Sequence, residues 1–351
     1  MNRPIRPTPP PRHRARIKMA DIAQMTGLST ATVSRALAGS SRVRPATRAQ
    51  VEAAALAAGY TVNRVAANLR LQASYAVLVL LPDVSNPFFA DVLAGIDQVA
   101  HEAGYGILIG HTGNDPARED HHARQYLTGS VDGLILVNGH LPASLVAAQR
   151  SSEPAAPFVA VSERLRDHRV PTVGIDNGLA IATAVEHLVA LGHRRIAHAG
   201  GPLGNILTEE RLRGFQEAIV RAGLDPRHTP VRHGDFAIPA GEAAADRLLA
   251  GRRPPTAIVC ASDHIAIGAM RAARKRGLAV PRDLSVVGFD DIPFAAAFDP
   301  AISTVRQPRF AMGAAAMRLL LDVLAGRTPD PDEIVLPTEL VLRATTAPPG
   351  D

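Results

Sequence analysis

The sequence predicts a small all-α head followed by an α/β body of two doubly wound parallel-sheet lobes. Three short amphipathic segments with helix start and stop signals lie between residues 17 and 62. From residue 75 onward, apolar runs of strand length alternate with amphipathic helical stretches, which is typical of parallel sheets. Because about 275 residues exceed the comfortable size of one hydrophobic core, we expect the body to divide into two lobes.

The first two helices of the head are marked by a glycine stop and a serine cap. Residues 19–26 have a helical apolar pattern that ends at Gly27, the residue type expected just past a helix C-terminus. Ser29 is placed to cap a second helix at residues 30–37, whose apolar side chains share one face. A tight glycine turn between two short helices indicates a helix-turn-helix.

A third helix is expected to complete the head. Thr47 followed by Gln50 has the spacing of a capping box, and Gly59 ends the helical pattern that follows. Residues 1–16 are rich in proline and arginine and offer little to bury, so they are expected to be a disordered basic arm.

Charge is divided unevenly along the chain. The whole sequence has 38 Lys and Arg against 33 Asp and Glu, a net charge of +5. Residues 1–70 hold 12 basic and 2 acidic residues, whereas the remainder holds 26 basic and 31 acidic residues. A basic head on an acidic body is typical of nucleic-acid binding confined to one end, although a solvated tail of stray arginines would have the same charge.

The body alternates strand-like and helix-like stretches. Apolar runs bounded by turn residues predict strands at 76–81, 106–111, 133–138, 158–162, 196–199, 257–260 and 285–289. Amphipathic stretches between them predict helices, for example at 89–102, 179–191, 209–222, 239–249 and 263–276. Since ligands of doubly wound sheets bind at the carboxyl ends of the strands, the cleft between the lobes is the expected binding site.

Several classes of protein are excluded by what the sequence lacks. Its longest apolar run, residues 75–81, is far shorter than the roughly 20 residues needed to cross a bilayer. The first eighteen residues lack the apolar segment of a signal peptide, so we expect a cytoplasmic protein with no membrane partner. The single cysteine, Cys260, rules out an internal disulfide and a cysteine-based zinc site, and we expect no metal and no cofactor.

An enzyme is the alternative function. The sequence contains no GxSxG or HExxH motif and no phosphate-binding loop ending in GKS or GKT. The glycines at 104–110 lead into a strand instead of opening a helix, unlike a dinucleotide-binding loop. A cytoplasmic sugar- or nucleoside-processing enzyme of α/β fold is therefore disfavoured.

Motifs along the whole chain resemble the lactose-repressor family. They are DIAQMTGLSTATVSRAL at 21–37, NRVAANLR at 63–70, PDVSNPFF at 82–89, GHRRI at 192–196, RLRGF at 211–215, ASD at 261–263 and VGFDD at 287–291. The resemblance covers roughly residues 17–346, and HGDF at 233–236 with VSE at 161–163 is most similar to its cytidine-repressor branch. It implies a ligand-controlled, DNA-binding transcriptional regulator, and most simply a repressor.

The resemblance implies a set of DNA contacts in the head and the hinge. In a helix-turn-helix the second helix enters the major groove, where Thr30, Ala31 and Arg35 would face base edges. Short hydroxyls suit phosphate oxygens, which assigns phosphate contacts to Ser29, Thr32 and Ser34. A hinge helix that forms only on DNA would place Leu69 as an apolar wedge in the minor groove. Further contacts in that segment are expected from Asn63, Arg64 and Arg70.

The body resembles periplasmic sugar-binding proteins, which implies a small-molecule effector between the lobes. Ten residues are expected to bind it: Asn86, Phe88, Phe89, Glu163 and Arg164 from the first lobe, and Asn205, Arg211, Phe236, Ser262 and Asp290 from the second. Aromatic rings would stack on a sugar or base, carboxylates would accept from hydroxyls, and the arginine would bridge neighbouring oxygens. A sugar and a nucleoside both fit this chemistry.

Domain boundaries and partners follow from the same resemblance. We expect a basic arm at 1–16, a helix-turn-helix domain at 17–62, a hinge helix and linker at 63–74, an effector-binding and dimerisation domain at 75–346 and a tail at 347–351. The first lobe is expected at about 75–174 and 305–333, and the second at about 175–304 and 334–346. A homodimer would bind double-stranded DNA at a pseudo-palindromic operator.

Overall fold

A computed structural model of the chain describes residues 17–60, 73–146, 157–166 and 168–350. The chain separates into two compact units, Met1–Gln72 and Ala73–Asp351, which correspond to the head and the body. The predicted basic arm at 1–16 lies outside the described residues, and so do the hinge residues Asn63, Arg64, Leu69 and Arg70.

The head contains three helices packed around a small apolar core. They are α1 (Met19–Thr26), α2 (Thr30–Leu37) and α3 (Pro45–Ala57). Ile22, Val33 and Val51, one from each helix, are fully buried against one another. Gly27 follows α1 at a φ of 68°, the left-handed conformation that glycine adopts without strain. The predicted turn therefore lies between α1 and α2.

The start of α3 differs from the prediction. The helix begins at Pro45 and has no side-chain cap, so the capping box predicted at Thr47 and Gln50 is wrong. Proline suits the first helical position because its φ is already helical and no N–H is left unpaired there. Gln50 instead donates from Nε2 to the carbonyl oxygen of Thr26 over 3.3 Å, which ties α3 to α1.

The first lobe of the body is built on a six-stranded parallel sheet. Its strands are β1 (Ala76–Leu81), β2 (Gly106–His111), β3 (Gly133–Leu136), β4 (Phe158–Val161), β5 (Thr172–Ile175) and β11 (Glu333–Leu336). They lie in the order β11-β5-β4-β3-β1-β2. Helices α4 (Pro87–Glu102), α5 (Pro116–Leu127) and α11 (Arg309–Leu324) pack against this sheet.

The second lobe has the same plan. Its strands are β6 (Ile196–Gly200), β7 (Val231–His233), β8 (Ala257–Cys260), β9 (Ser285–Asp290), β10 (Ser303–Arg306) and β12 (Glu339–Val341). They lie in the order β12-β10-β9-β8-β6-β7, and β12 alone runs antiparallel to its neighbour. Its helices are α6 (Asn177–Ala190), α7 (Ile206–Arg221), α8 (Ile238–Leu249), α9 (Asp263–Lys275) and the short α10 (Pro293–Ala297).

The chain passes between the lobes after β5, after β10 and after β11. Two of these crossings lie later than the predicted lobe boundaries at about 304 and 333. All of β10 pairs with β9 in the second sheet, and all of β11 pairs with β5 in the first. The crossings therefore fall in the short segments after Arg306 and after Leu336, because a strand cannot leave its sheet halfway without losing ladder hydrogen bonds.

The central strands explain the apolar runs in the sequence. Every residue of β3, β4, β8 and β9 is buried, since helices cover both faces of a parallel sheet. No helix in the described ranges combines the length and the apolar character that crossing a bilayer requires.

Candidate functional site

A cavity of about 230 Å³ lies between the two lobes of the body, at the carboxyl ends of the strands. Its lining comes from the segments after β1, β2, β4, β6, β7, β8 and β10 and from the end of β9. Nine of the ten residues predicted to bind an effector line it: Asn86, Phe88, Phe89, Glu163, Asn205, Arg211, Phe236, Ser262 and Asp290. Parallel strands bring these distant parts of the sequence to one edge of each sheet.

The aromatic part of the cavity is set by the start of α4. Asn86 caps this helix by accepting from the N–H of Phe88 over 3.0 Å, which fixes the first turn. Phe88 and Phe89 then pack edge to face, with ring centroids 5.1 Å apart. Both rings are largely buried, yet both line the cavity. They provide a rigid apolar wall for a flat ligand.

Arg211 is a fixed cation in the cavity wall. It lies on α7 with 2% of its surface exposed, and its guanidinium stacks 3.8 Å above the ring of Phe289. Nε donates to Oδ1 of Asn177 over 2.9 Å, and Nη1 donates to the carbonyl oxygen of Ala261 over 2.6 Å. Burial lowers the pKa of Arg211, while Asp290 and nearby glutamates oppose that shift. The guanidinium is thus held in one orientation before any ligand binds.

Two buried carboxylates lie in the cavity wall, one in each lobe. Burial raises the pKa of Glu163 to about 6, although Nδ2 of Asn205 donates to its Oε2 over 3.0 Å. Burial also raises the pKa of Asp290 to about 6, against the opposing effect of Arg211 and of Nε2 of Gln307, which donates to Oδ1 over 2.7 Å. Near neutral pH both are hydrogen-bond acceptors.

Asp290 is held in an unusual backbone conformation. Its φ is 110°, in a region that side-chain-bearing residues rarely adopt, and the φ of Asp291 is 56°. Arg343 donates to Oδ1 of Asp291 over 2.6 Å, and Arg306 donates to Oδ2 over 2.7 Å. These contacts hold the strained turn, and such strain is concentrated at functional sites.

Asp263 is a buried residue next to the cavity that was not among the predicted site residues. It accepts from the hydroxyl of Thr304 over 2.6 Å and from the N–H of Ile292 over 2.8 Å. Burial, with the nearby charges of Asp290 and Asp291, raises its pKa to about 8. The side chain therefore fixes the loop that follows Asp290, the last residue of β9. In the sequence, its position next to Ser262 in the ASD motif could have indicated that Asp263 belongs to the site.

Other lining residues also escaped prediction. Among them are Asp83, Asn114, Ser162, Asp235 and Gln307. They lie in loops, where no periodic pattern indicates the direction of a side chain. The two exposed carboxylates, Asp83 and Asp235, come from different lobes.

Arg164 is the one residue of the ten predicted to bind an effector that does not line the cavity. Its Nε pairs with Oε1 of Glu210 on α7 over 2.8 Å, with about half of the arginine side chain exposed. Arg166 pairs in the same way with Glu209 over 2.6 Å. Because β4 ends in one lobe and α7 begins in the other, these ion pairs join the lobes beside the cavity.

The second helix of the head presents the predicted DNA-contacting residues. Thr30, Ala31 and Arg35 are exposed on α2, and Nε of Arg35 donates to the carbonyl oxygen of Ala31 over 3.0 Å. Ser29 caps the helix by accepting from the N–H of Thr32 over 3.2 Å.

The hydroxyls of Ser29 and Thr32 are also hydrogen-bonded to each other over 2.9 Å. Thr32 and Ser34 are half-buried, so they are less accessible than the other predicted contacts on α2.

A helix-turn-helix head and a two-lobed body with a ligand-sized cleft define a ligand-responsive DNA-binding regulator. Residues 18–63 match the model of the bacterial regulatory proteins of the lacI family, and residues 185–346 match a periplasmic binding protein-like domain. The chain belongs to the lacI family of transcriptional regulators.

The chain is similar to curated transcriptional regulators over nearly their whole length. The HTH-type transcriptional repressor CytR of Escherichia coli (strain K12) is 37% identical over 93% of this chain and 96% of its own length. Catabolite control protein A of Priestia megaterium is 32% identical over 94% of this chain and 99% of its own length. The chain is accordingly a transcriptional regulator and not an enzyme.

Solved structures of related regulators share the fold. The lac repressor dimer bound to operator and the anti-inducer ONPF aligns with a TM-score of 0.84 and 28% identity, over 95% of this chain and 99% of that one. The complex of the regulator CelR with cellobiose aligns with a TM-score of 0.70 and 30% identity, over 94% of this chain and 100% of that one.

Proposed function

We propose that this regulator is a repressor that binds a pseudo-palindromic operator as a homodimer in the cytoplasm. A small sugar or nucleoside in the cleft would control its affinity for that operator. The convergence of nine predicted residues on one cavity between the lobes carries the effector part of the proposal. The operator and dimer in the lac repressor structure, and the cellobiose in the CelR structure, support it by likeness.

Helix α2 is proposed to read the operator. Thr30, Ala31 and Arg35 are its exposed residues near base-edge positions, and a guanidinium can contact guanine with two hydrogen bonds. Arg35 now donates to its own helix, and this single exposed contact is easily exchanged for a base. Ser29, Thr32 and Ser34 are proposed as phosphate contacts. Their hydroxyls carry no sequence preference.

The hinge is proposed to translate effector binding into a change of DNA affinity. Leu69 would insert between base pairs in the minor groove. Asn63, Arg64 and Arg70 would contact the DNA beside it. These residues lie outside the described part of the chain, and their role rests on the sequence resemblance alone. An effector that changes the angle between the lobes would move the first lobe, from which the hinge leads to the head.

The proposed reading of the operator is tested at Arg35. We expect Arg35→Ala to weaken operator binding by about 5- to 150-fold, because a bidentate guanine contact is worth about 1–3 kcal/mol. Fluorescence anisotropy with a labelled operator duplex measures this loss. Binding to an unrelated duplex should change much less, since that binding depends mainly on phosphates.

Arg213→Ala is the matched control for the test at Arg35. Arg213 is an exposed arginine on α7 in the body, so its removal changes the net charge equally and leaves the head intact. Operator affinity should stay within about twofold of the wild-type value, since a distant exposed charge is largely screened. Equal operator affinity in the Arg35→Ala variant and the wild-type protein would contradict the assignment of α2 as the reading helix.

A further inference from the structure

The cavity between the lobes carries much more negative than positive charge. Four carboxylates line it: Asp83, Glu163, Asp235 and Asp290. Arg211 is the one basic residue among the described residues that form the lining. His111 and His264 lie near Asp83 outside the lining, and burial lowers the pKa of the His264 imidazole, which disfavours its charged form. The four carboxylates of the lining thus outnumber its one cation, although outside the lining Arg309 lies near Asp290 and His140 lies near Glu163.

Arg211 is partly committed to contacts within the protein, which limits what it offers an anionic ligand. Its Nε and Nη1 already donate to protein oxygens, and its flat face is covered by Phe289. Within the described residues only Nη2 lacks a protein partner. A phosphate binding site needs several convergent donors, such as a second cation or a row of backbone N–H groups. Arg211 is a single cation, and two of its five N–H groups are already used within the protein.

Each of the two buried carboxylates has one oxygen available to accept a hydrogen bond from a ligand. Oε1 of Glu163 and Oδ2 of Asp290 have no partner among the described residues, whereas the second oxygen of each is hydrogen-bonded. Each residue is about 92% buried and lines the cavity. A hydroxyl or an amine can donate to these oxygens, but a phosphate dianion has only acceptors.

The two exposed carboxylates, Asp83 and Asp235, repel a negatively charged ligand group at the entrance of the cavity. Asp83 accepts from the N–H and the hydroxyl of Ser85 over 2.9 and 2.6 Å, which lowers its pKa and keeps it ionised. Asp235 contributes a second exposed carboxylate from the other lobe. A ligand that enters between the lobes therefore passes two negative charges before it reaches Glu163 and Asp290.

We propose that these carboxylates make the cleft selective for an uncharged or cationic effector and exclude the phosphate ester of the same compound. The inference rests on the proposed function, since it concerns the effector of that cleft. Repulsion from several carboxylates and the loss of the donor hydroxyl that carries the phosphate act in the same direction. The protein would then respond to a compound before phosphorylation, so that a kinase reaction that consumes the effector would remove the signal.

The test compares matched pairs of compounds on the full-length protein. Thermal unfolding and titration calorimetry are carried out with adenosine and AMP, cytidine and CMP, ribose and ribose 5-phosphate, and glucose and glucose 6-phosphate. We expect at least one unphosphorylated compound to raise Tm and its ester to bind about 100-fold more weakly or worse. An ester that binds as tightly as its parent, or a panel in which only esters bind, overturns the inference.

A double variant tests whether the mouth carboxylates contribute. In Asp83→Asn/Asp235→Asn the ratio of parent to ester affinity should narrow by about tenfold, because exposed charges are partly screened by water. Asp97→Asn/Glu217→Gln is the matched control, with one exposed carboxylate removed from α4 and one from α7, neither of which lines the cavity. Its ratio should equal that of the wild-type protein. A mouth variant that also keeps the wild-type ratio contradicts this part of the inference.

The same compounds separate this inference from the proposed function. Operator affinity is measured by anisotropy with and without the compound that binds. A compound that binds in preference to its ester but leaves operator affinity unchanged contradicts effector control, while selectivity stands. An ester that binds well and releases the operator supports effector control and overturns the selectivity.

Discussion

Glu163 carries a buried carboxylate whose cost to stability depends on pH. Its folded-state pKa of about 6 lies above the ordinary value of 4.5, because burial disfavours the charged form. Below about pH 4.5 the group is protonated in both folded and unfolded protein, and no penalty applies. As the pH rises through the interval to about 6, the folded protein loses stability, and above it the full loss of about 2 kcal/mol remains.

Glu163→Gln tests this pH dependence. Glutamine retains an oxygen that can accept from Asn205 but does not ionise, so the variant should be more stable than the wild-type protein at pH 8 by about 2 kcal/mol. The difference in Tm between the two proteins should vanish near pH 4. Thermal unfolding from pH 4 to 8 measures it, with Glu217→Gln on the exposed face of α7 as the control. A pH-independent difference for Glu163→Gln would show that its ionisation carries no such cost.

The residues of the site differ in how far the sequence could indicate them. Arg211 and Asp290 lie in motifs that the resemblance picks out, and both line the cavity. Arg164 adjoins Glu163 in sequence, but consecutive residues after a strand point in different directions, and its charge is satisfied by Glu210 outside the cavity. Gln307 lies in a crossing between the lobes, and its partner Asp290 is identified only when the fold is known.

At the scale of elements, strands with a continuous apolar run could be predicted and the others could not, including β5 (Thr172–Ile175) and β10 (Ser303–Arg306), which are mostly buried but contain a glycine or polar residues. The bounds of β1, β2 and β8 match the apolar runs in the sequence. The strands β7, β11 and β12 lie at or next to sheet edges, are only partly buried and contain charged residues, so they show no continuous apolar run.

Helix α11 was not predicted either. No side chain caps its N-terminus, and it is buried over much of its surface, so neither a start signal nor a polar face marks it.

The packing of α4 against α11 depends on two glycines. A Cβ atom on Gly313 would overlap the carbonyl oxygen of Val92, and one on Gly95 would overlap the carbonyl oxygen of Phe310. The absence of side chains lets the two helix backbones touch across the first lobe. Since backbone atoms cannot move aside as a flexible side chain can, substitution at either glycine must separate the helices.

Gly313→Ala is expected to lower the free energy of unfolding. Overpacking of this kind costs about 1–3 kcal/mol or more, which exceeds the gain of up to about 1 kcal/mol in helix propensity from glycine to alanine. Thermal unfolding should show a clearly lower Tm. Gly251→Ala is the control, because no atom lies within 4 Å of its added Cβ atom. Equal Tm values for the two variants would contradict close packing between α4 and α11.

At the scale of the whole body, the lobes are joined by three chain crossings and by side-chain contacts, one group of which lies beside the cavity. The ion pairs Arg164–Glu210 and Arg166–Glu209 and the hydrogen bond from Asn205 to Glu163 all connect the segment after β4 with the start of α7. A ligand between Glu163 and Asp290 would contact both lobes at once. Its binding energy could therefore bias their relative orientation, as effector control requires.

Effector control has a thermodynamic consequence that tests the whole molecule. If a bound effector lowers operator affinity by some factor, bound operator must lower effector affinity by the same factor. Titration calorimetry of whichever sugar or nucleoside binds, with and without saturating operator duplex, measures one factor, and anisotropy with and without that compound measures the other. We expect the two factors to agree within error at about 5- to 150-fold, the usual range of such coupling. An effector affinity unchanged by operator would mean that the cleft and the DNA-binding head act independently.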